Sequence, residues 1–249
     1  MSANDSGAAS RGDLLEPLGD EPDIRVDVDA LVPVRAGGEL VRGRSGAAGT
    51  VRPACWDGTV RIPAAVAALA AAADLIILAL LHVVSPEVDP VTRPVSEYAL
   101  GAYGWLATIG TLAEGLGALG LAVALRRRRL AAVLLAVFGL AKLAMPLFPV
   151  DALGTPATPT GQVHNVLGNL AFFIFPVAAL LLIRTFWRVG SRLVPAAAVL
   201  LAAATVGVLV GDAVGAFGLA QRAYLILCSL WLLLAAGTVF RRPLDFEYM

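Results

Sequence analysis

Residues 62–84 read IPAAVAALAAAADLIILALLHVV, an apolar run in which Asp74 is the single residue charged at neutral pH. About 20 such residues in a helix span the roughly 30 Å of hydrocarbon in a bilayer. Five similar runs follow, at 104–125, 130–148, 163–183, 193–211 and 222–240. A helix satisfies its backbone hydrogen bonds within one segment, and these runs are too long for barrel strands. The sequence therefore predicts an all-α, polytopic membrane protein with six transmembrane helices in the lipid bilayer.

The composition of the whole chain agrees with a single membrane domain. Hydrophobic residues make up 58% of the 249 residues and charged residues only 15%, with a mean hydropathy of +0.79. The net charge of zero gives no indication of a nucleic-acid partner. Cys55 and Cys228 fall in a predicted tail and in the predicted bilayer, so we expect neither a disulfide nor a metal framework. We also expect no cofactor.

Residues 1–61 differ from the rest of the chain. They contain ten acidic residues and seven arginines, with scattered Gly, Ser and Pro and no persistent apolar period. Such a segment cannot bury enough apolar area to offset its chain entropy, so we predict a disordered tail. The predicted organisation is this tail, a six-helix domain at 62–242 and a short C-terminal tail at 243–249.

The arginines predict the orientation in the membrane. They are concentrated in the N-terminal tail, at 126–129, at 184–192 and at 241–242, whereas the opposite side has only Arg93 and Arg222. The positive-inside rule then predicts that both termini are cytoplasmic and that the connections at 85–103, 149–162 and 212–221 face outward. Every basic residue except Lys142 is Arg, which is typical of a bacterium with a GC-rich genome. We therefore expect a bacterial cytoplasmic (plasma) membrane.

The stretch SEYALGAYGW at 96–105 is a polar and aromatic segment between two apolar runs, and we expect it at the outer surface. Other polar residues map to the same side, namely His82, Glu87, Asp89, Asp151, His164, Asn165, Asp212 and Arg222. Two histidines and several carboxylates could hold zinc, but the absence of an HxxxH or HExxH pair favours no metal site. Without a Gly-x-Ser-x-Gly elbow, Ser96 is a poor nucleophile candidate. Together these residues predict a polar outer vestibule.

Asp74, Glu114 and Lys142 fall near the middle of the first three helices. Charges at that depth cost several kcal/mol unless they are paired, so we expect the three side chains to turn inward and meet. Two carboxylates then face one lysine, and either one carboxylate holds a proton or a cation joins it. A structural ion pair is the favoured interpretation, and a proton or cation relay is the alternative.

Gly207, Gly211 and Gly215 follow one another at four-residue spacing in the fifth apolar segment. This spacing would line one face of a helix with almost no side chain and allow another helix to approach closely. Packing within the chain is the favoured interpretation, and a homo-oligomer contact is the alternative.

Several motifs together resemble a known family. They are SEY at 96–98 followed by Gly101 and by GW at 104–105, FPxD at 148–151, His164, GL at 218–219 and QR at 221–222. In order and spacing they resemble the signatures of a bacterial and archaeal membrane family, the domain of unknown function nine-nine-eight, over about residues 62–242. The resemblance implies the six-helix fold and a membrane location. It implies no particular activity, cofactor or substrate.

Three classes of function fit these residues. The favoured class is a protein that binds, senses or transports a small polar or lipid-headgroup ligand, with Asp74, Glu114 and Lys142 as a possible proton step. The expected ligand-binding residues are Ser96, Glu97, Tyr98, Asp151, His164, Asn165, Gln221 and Arg222. The first alternative is an outer-leaflet hydrolase or transferase that uses Glu97, Asp151 and His164. The second is a structural or scaffold subunit.

Overall fold

A computed structural model describes residues 58–242. Within that range the chain contains only helices and their connections, and six helices are long and apolar enough to cross a membrane. The predicted all-α fold with six candidate spans is therefore confirmed. The predicted N-terminal tail lies outside the described residues up to residue 57, and the first helix begins at Gly58 rather than at residue 62. Residues 243–249 also lie outside the described range.

Between residues 58 and 242 seven α-helices follow one another, joined by connections that include two short 3₁₀ helices. The α-helices are α1 (Gly58–Val84), α2 (Gly104–Ala124), α3 (Arg129–Ala144), α4 (Pro159–Leu181), α5 (Ile183–Arg188), α6 (Leu193–Ala213) and α7 (Phe217–Arg241). The 3₁₀ helices are Val95–Leu100, which precedes α2, and Met145–Leu147, which follows α3. The short α5 continues the span of α4 after Leu182, so the six spans are α1 to α4, α6 and α7.

The six long helices pack as a closed ring. Helix α1 contacts α2, α2 contacts α3, α3 contacts α4, α4 contacts α6, α6 contacts α7, and α7 returns to α1. We call the end of this ring with the connections 85–103, 148–158 and 214–216 the loop end, and the end with residues 126–129 the arginine end.

Glycines bring α2 very close to its neighbours. A Cβ atom at Gly115 would lie 2.9 Å from the carbonyl oxygen of Gly139 in α3, and one at Gly120 would lie 2.7 Å from that of Pro63 in α1. Such contacts leave no room for a side chain. They hold three helices together along their backbones, as small residues do in membrane bundles.

Only two of the three glycines that were predicted to line one helix face, Gly207 and Gly211, lie in α6. Helix α6 ends at Ala213, and Gly215 lies in the turn to α7 with a φ of 73°, in the left-handed region that glycine favours. The expectation that Gly215 lines a helix face is therefore wrong, because the chain turns before it. Gly211 packs within the chain, where a Cβ would meet Ala220 at 2.8 Å, while Gly207 has no atom within 4 Å among the described residues.

A hydrophobic core fills the arginine-end half of the ring. Its largest members include Phe138, Phe175, Phe186 and Trp231, all almost fully buried. Phe175 packs against Phe138 and Trp231 with ring centroids 4.5 and 5.5 Å apart. Aromatic rings bury much apolar area and interlock with defined geometry, so this half of the bundle is closed.

Candidate functional site

A cavity of about 760 Å³ lies inside the loop-end half of the ring. All six long helices and both 3₁₀ segments contribute to its wall. The cavity reaches from Glu97 and Asp151 beside the loops to Glu114 and Lys142 within the bundle. The two polar groups that the sequence presents separately therefore share one space.

The structure distributes the predicted site residues between the cavity wall and the region behind it. Six of the expected ligand-binding residues line the cavity, namely Ser96, Glu97, Asp151, His164, Asn165 and Gln221. Asp74, Glu114 and Lys142 line it as well, whereas Tyr98 and Arg222 are buried and do not. That any of these residues binds a ligand stays a prediction.

The three membrane-embedded charged residues converge on the inner part of the cavity, and all are buried. Lys142 Nζ lies 2.6 Å from Glu114 Oε2, and the Ser229 hydroxyl of α7 donates a hydrogen bond of 2.6 Å to Asp74 Oδ2. Within residues 58–242, Glu114 Oε1 has no hydrogen-bond partner. We call this group the buried triplet; it holds two carboxylates and one lysine, and the lysine pairs with Glu114.

Glu97 joins two connections at the loop end. Pro94 has the extended backbone that precedes the 3₁₀ helix, which places Glu97 in the first turn. One oxygen of Glu97 accepts from the Arg93 guanidinium, and the other accepts from the Leu153 N–H at 2.7 Å. Burial alone would raise the pKa of Glu97, but these hydrogen bonds outweigh it and hold the pKa below its usual value. The carboxylate therefore fastens the 85–103 connection to the 148–158 connection.

Asp151 organises the start of α4. Its two oxygens accept from the N–H and the hydroxyl of Thr158, at 2.8 and 2.7 Å, and Thr158 in turn caps α4 by accepting from the Gly161 N–H. The hydrogen bonds from Thr158 hold the pKa of Asp151 below its usual value. Gly161 packs directly on this carboxylate, so no larger residue fits there.

His164 lies one turn into α4 and is half-buried. Its Nδ1 is 2.9 Å from the carbonyl oxygen of Phe148, which fixes the ring against the 148–158 connection. Because a carbonyl can only accept, Nδ1 donates in this arrangement. This contact matches a hydrogen-bonding role for His164 at the start of the helix.

Arg222 is the centre of a second fastening, which we call the Arg222 clamp. Its guanidinium donates to His82 Nε2 at 2.8 Å, to the Arg93 carbonyl at 2.7 Å and to the Tyr98 hydroxyl at 3.2 Å. The neighbouring Gln221 reinforces the clamp, because its side-chain oxygen accepts from the Val95 N–H at 2.7 Å. The clamp holds the 85–103 connection onto α1 and α7 and leaves Arg222 behind the cavity wall.

Other cavity residues were not expected from the sequence. Ser229 pairs with Asp74 from a position 155 residues further along the chain, and nothing in the sequence links the two. Aromatic side chains of α4 and α7 also line the cavity, among them Phe172, Phe217 and Tyr224. A helical-face analysis of α4 could have found Phe172, which lies two turns beyond Asn165. In the described part of the chain, no three His, Cys, Asp or Glu side chains form a metal-binding group.

The fold and cavity define a class of protein, a polytopic α-helical membrane protein with a charged cavity at one end of a six-helix ring. A family model described as "Protein of unknown function (DUF998)" matches residues 68–238. The chain therefore belongs to this family, which confirms the resemblance inferred from its motifs. No curated protein and no solved structure shows a significant match.

Proposed function

We propose that this protein binds a small polar or lipid-headgroup ligand in the cavity and senses or transports it, with the buried triplet as a proton-coupled element. One observation carries the proposal. The cavity is continuous from the loop-end residues Glu97 and Asp151 to Glu114 and Lys142 in the membrane. A ligand that enters among the loops can therefore approach the charges that lie deepest in the bundle.

The cost of these charges supports a functional role. Ionisable side chains within a membrane are expensive and typically mark substrate, ion or proton pathways. A structural pair alone would need one carboxylate for Lys142, yet Asp74 adds a second. The cavity volume of about 760 Å³ also lies within the range of roughly 300–1,000 Å³ common for small-molecule sites.

We further propose that the loop end faces outward in a bacterial cytoplasmic membrane, with both termini inside. The arginines at 126–129 and 184–192 support this orientation through the positive-inside rule. The two arginines at the loop end are both engaged within the protein, since Arg93 pairs with Glu97 and Arg222 forms the clamp. Two arginines at the loop end, against seven at 126–129 and 184–192, leave the charge asymmetry between the two ends in place.

The contacts of the candidate catalytic residues do not favour the hydrolase or transferase alternative. Glu97, Asp151 and His164 each hydrogen-bond to a backbone group of the 148–158 connection. These bonds fasten loops and a helix start. A catalytic set would instead present a nucleophile, a base and an orienting group in hydrogen-bond reach of one another.

Thermal unfolding of the purified protein with added phosphocholine, phosphoethanolamine, glucose or amino acids tests ligand binding. We expect at least one probe to raise the melting temperature of the wild type, because a ligand that binds only the folded state stabilises it. The variant Asn169→Phe, which places a large side chain at the cavity wall, should abolish the effect. The control Val177→Phe lies at an exposed position of the same helix and should retain it. Equal stabilisation of wild type and Asn169→Phe would refute binding in this cavity.

A further inference from the structure

The cavity wall has an excess of acidic side chains. Five carboxylates line it, those of Asp74, Glu97, Glu114, Asp151 and Asp212, and among the described lining residues the one Lys or Arg is Lys142. Lys142 pairs with Glu114, and Arg93 pairs with Glu97. The other three carboxylates form no ion pair with any residue between 58 and 242. A cavity with this charge attracts cations and repels anions.

Glu114 supplies an independent sign of a ligand. Its side chain is buried, with 1% of the residue exposed, and it lines the cavity. Lys142 occupies its Oε2, but no donor from the described residues reaches Oε1. Buried carboxylate oxygens are normally hydrogen-bonded, so an orphan acceptor indicates that a donor or a positive charge comes from outside the protein.

Aromatic side chains also line the cavity. Phe172 of α4 packs against Tyr224 of α7, with ring centroids 4.8 Å apart, and both line the cavity together with Phe138 and Phe217. The faces of aromatic rings attract cations, and their apolar area can bury a hydrocarbon body. A strongly hydrated metal ion would gain little from such a wall.

We propose that the ligand of this cavity is an organic cation with an apolar body, whose positive group lies against Glu114 and Asp74 and whose body lies against Phe172 and Tyr224. The inference rests on the proposed function and names the class of its ligand. The same chemistry is available from a free amine or from the amine headgroup of a lipid. In either case the cation balances the negative charge of Glu114 and Asp74, which a bound proton would otherwise neutralise.

Binding of radiolabelled tetraphenylphosphonium to the purified full-length protein tests this inference, with tetraphenylborate as an anion of matched size and shape. We expect saturable binding of about one cation per chain and no competition by the borate. Glu114→Gln should weaken binding at least tenfold, because it removes one of the two carboxylates that are proposed to face the cation. Glu87→Gln is the matched control, since Glu87 is exposed and outside the cavity wall, and it should bind like the wild type.

A second variant distinguishes a loss of cation binding from a loss of folding. Glu114→Gln leaves Lys142 without its partner, so the double variant Glu114→Gln with Lys142→Met removes both charges and avoids a buried lone cation. Reduced cation binding at an unchanged melting temperature would support the inference. The source of the amine is distinguished in nanodiscs. Phosphatidylethanolamine should compete with tetraphenylphosphonium if the ligand is a lipid headgroup, and phosphatidylglycerol should not.

The outcomes separate this inference from the proposed function. If tetraphenylborate binds as tightly as tetraphenylphosphonium and Asn169→Phe abolishes both, the cavity binds ligands without cation selectivity, and only the present inference fails. If cation binding is unchanged in Glu114→Gln and in Asp74→Asn, the cation lies elsewhere and the inference also fails. If Asn169→Phe alters the binding of no probe, ligand binding in this cavity is refuted together with the cation preference.

Discussion

Replacing Arg222 with Gln tests whether the Arg222 clamp holds the loop end together. The substitution removes three hydrogen bonds outside the residue's own helix, to His82, to the Arg93 carbonyl and to Tyr98. Arg222 is only 4% exposed, so water cannot easily replace these bonds. We expect a large loss of stability, concentrated in the 85–103 connection.

The magnitude follows from the number and kind of bonds. Each hydrogen bond from a charged donor contributes about 1.5–3 kcal/mol, so three amount to roughly 4.5–9 kcal/mol. The variant also avoids part of the free-energy cost of burying a charged guanidinium away from water, which reduces the net loss of stability to about 3–5 kcal/mol. At roughly 2–4 °C per kcal/mol for a domain of this size, the melting temperature should fall by on the order of 10 °C.

Cys228 provides the assay, because its thiol is fully buried in α7. In a Cys55→Ser background a thiol-reactive fluorophore reports the unfolding of this helix during heating. Arg241→Gln is the matched control, an exposed arginine on the same helix, and should melt like the parent. Arg222→Lys should also lose most of the stability that the clamp contributes, because an ammonium group cannot reproduce the planar set of guanidinium donors.

Hydrogen exchange gives the local readout. In Arg222→Gln, the amides of the 85–103 connection should exchange faster, while those of the closed arginine-end core should change little at temperatures well below melting. A melting temperature within about 2 °C of the parent, with unchanged exchange at 85–103, would show that the clamp contributes little to stability. The reasoning from its hydrogen bonds would then be wrong.

Further predictions concern acid stability, helix packing and topology. Because folding lowers the pKa of Glu97, its carboxylate stabilises the folded state fully above about pH 4.5, and this stabilisation is lost as the pH falls through the folded-state pKa. Glu97→Gln should therefore flatten the acid side of a plot of melting temperature against pH. Gly115→Leu should destabilise by about 1–3 kcal/mol or more through overpacking, whereas Gly207→Ala should be neutral or stabilising in the same melting assay. In a cysteine-free background, a membrane-impermeant thiol reagent added to intact cells should label Thr155→Cys but not Arg127→Cys; the reverse pattern would invert the proposed orientation.

The six spans could be predicted because length and hydropathy are local properties of a sequence. The ends of the spans were less accurate. We predicted the fourth span from residue 163, but α4 begins at Pro159, where Thr158 caps the helix and proline occupies the first turn. Both features are recognised signals of a helix start. The error came from counting apolar residues alone, since Thr160 and Gln162 made the first turn look like a loop.

The candidate site was predictable only at the level of which end of the bundle each residue occupies. Hydropathy placed Arg222 and Glu97 at the same end of the bundle, and the structure agrees. It carried no information about their partners, because His82 lies 140 residues from Arg222 and Leu153 lies 56 residues from Glu97. Such pairs depend on the order of helices around the ring, which the hydropathy pattern does not encode.

The motifs that identify the family and the residues that would select a ligand are different sets. Glu97, Gln221 and Arg222 belong to the motifs, and each fastens one connection to another or to a helix. Neither Asp74 nor Glu114, the proposed contacts of a cation, belongs to any of them. The motifs therefore fasten the frame of the cavity and supply two of the five carboxylates in its wall, while the proposed contacts of the cation lie within the bundle. A family member with the same motifs but neutral residues at these two positions should keep the fold and lose the preference for cations.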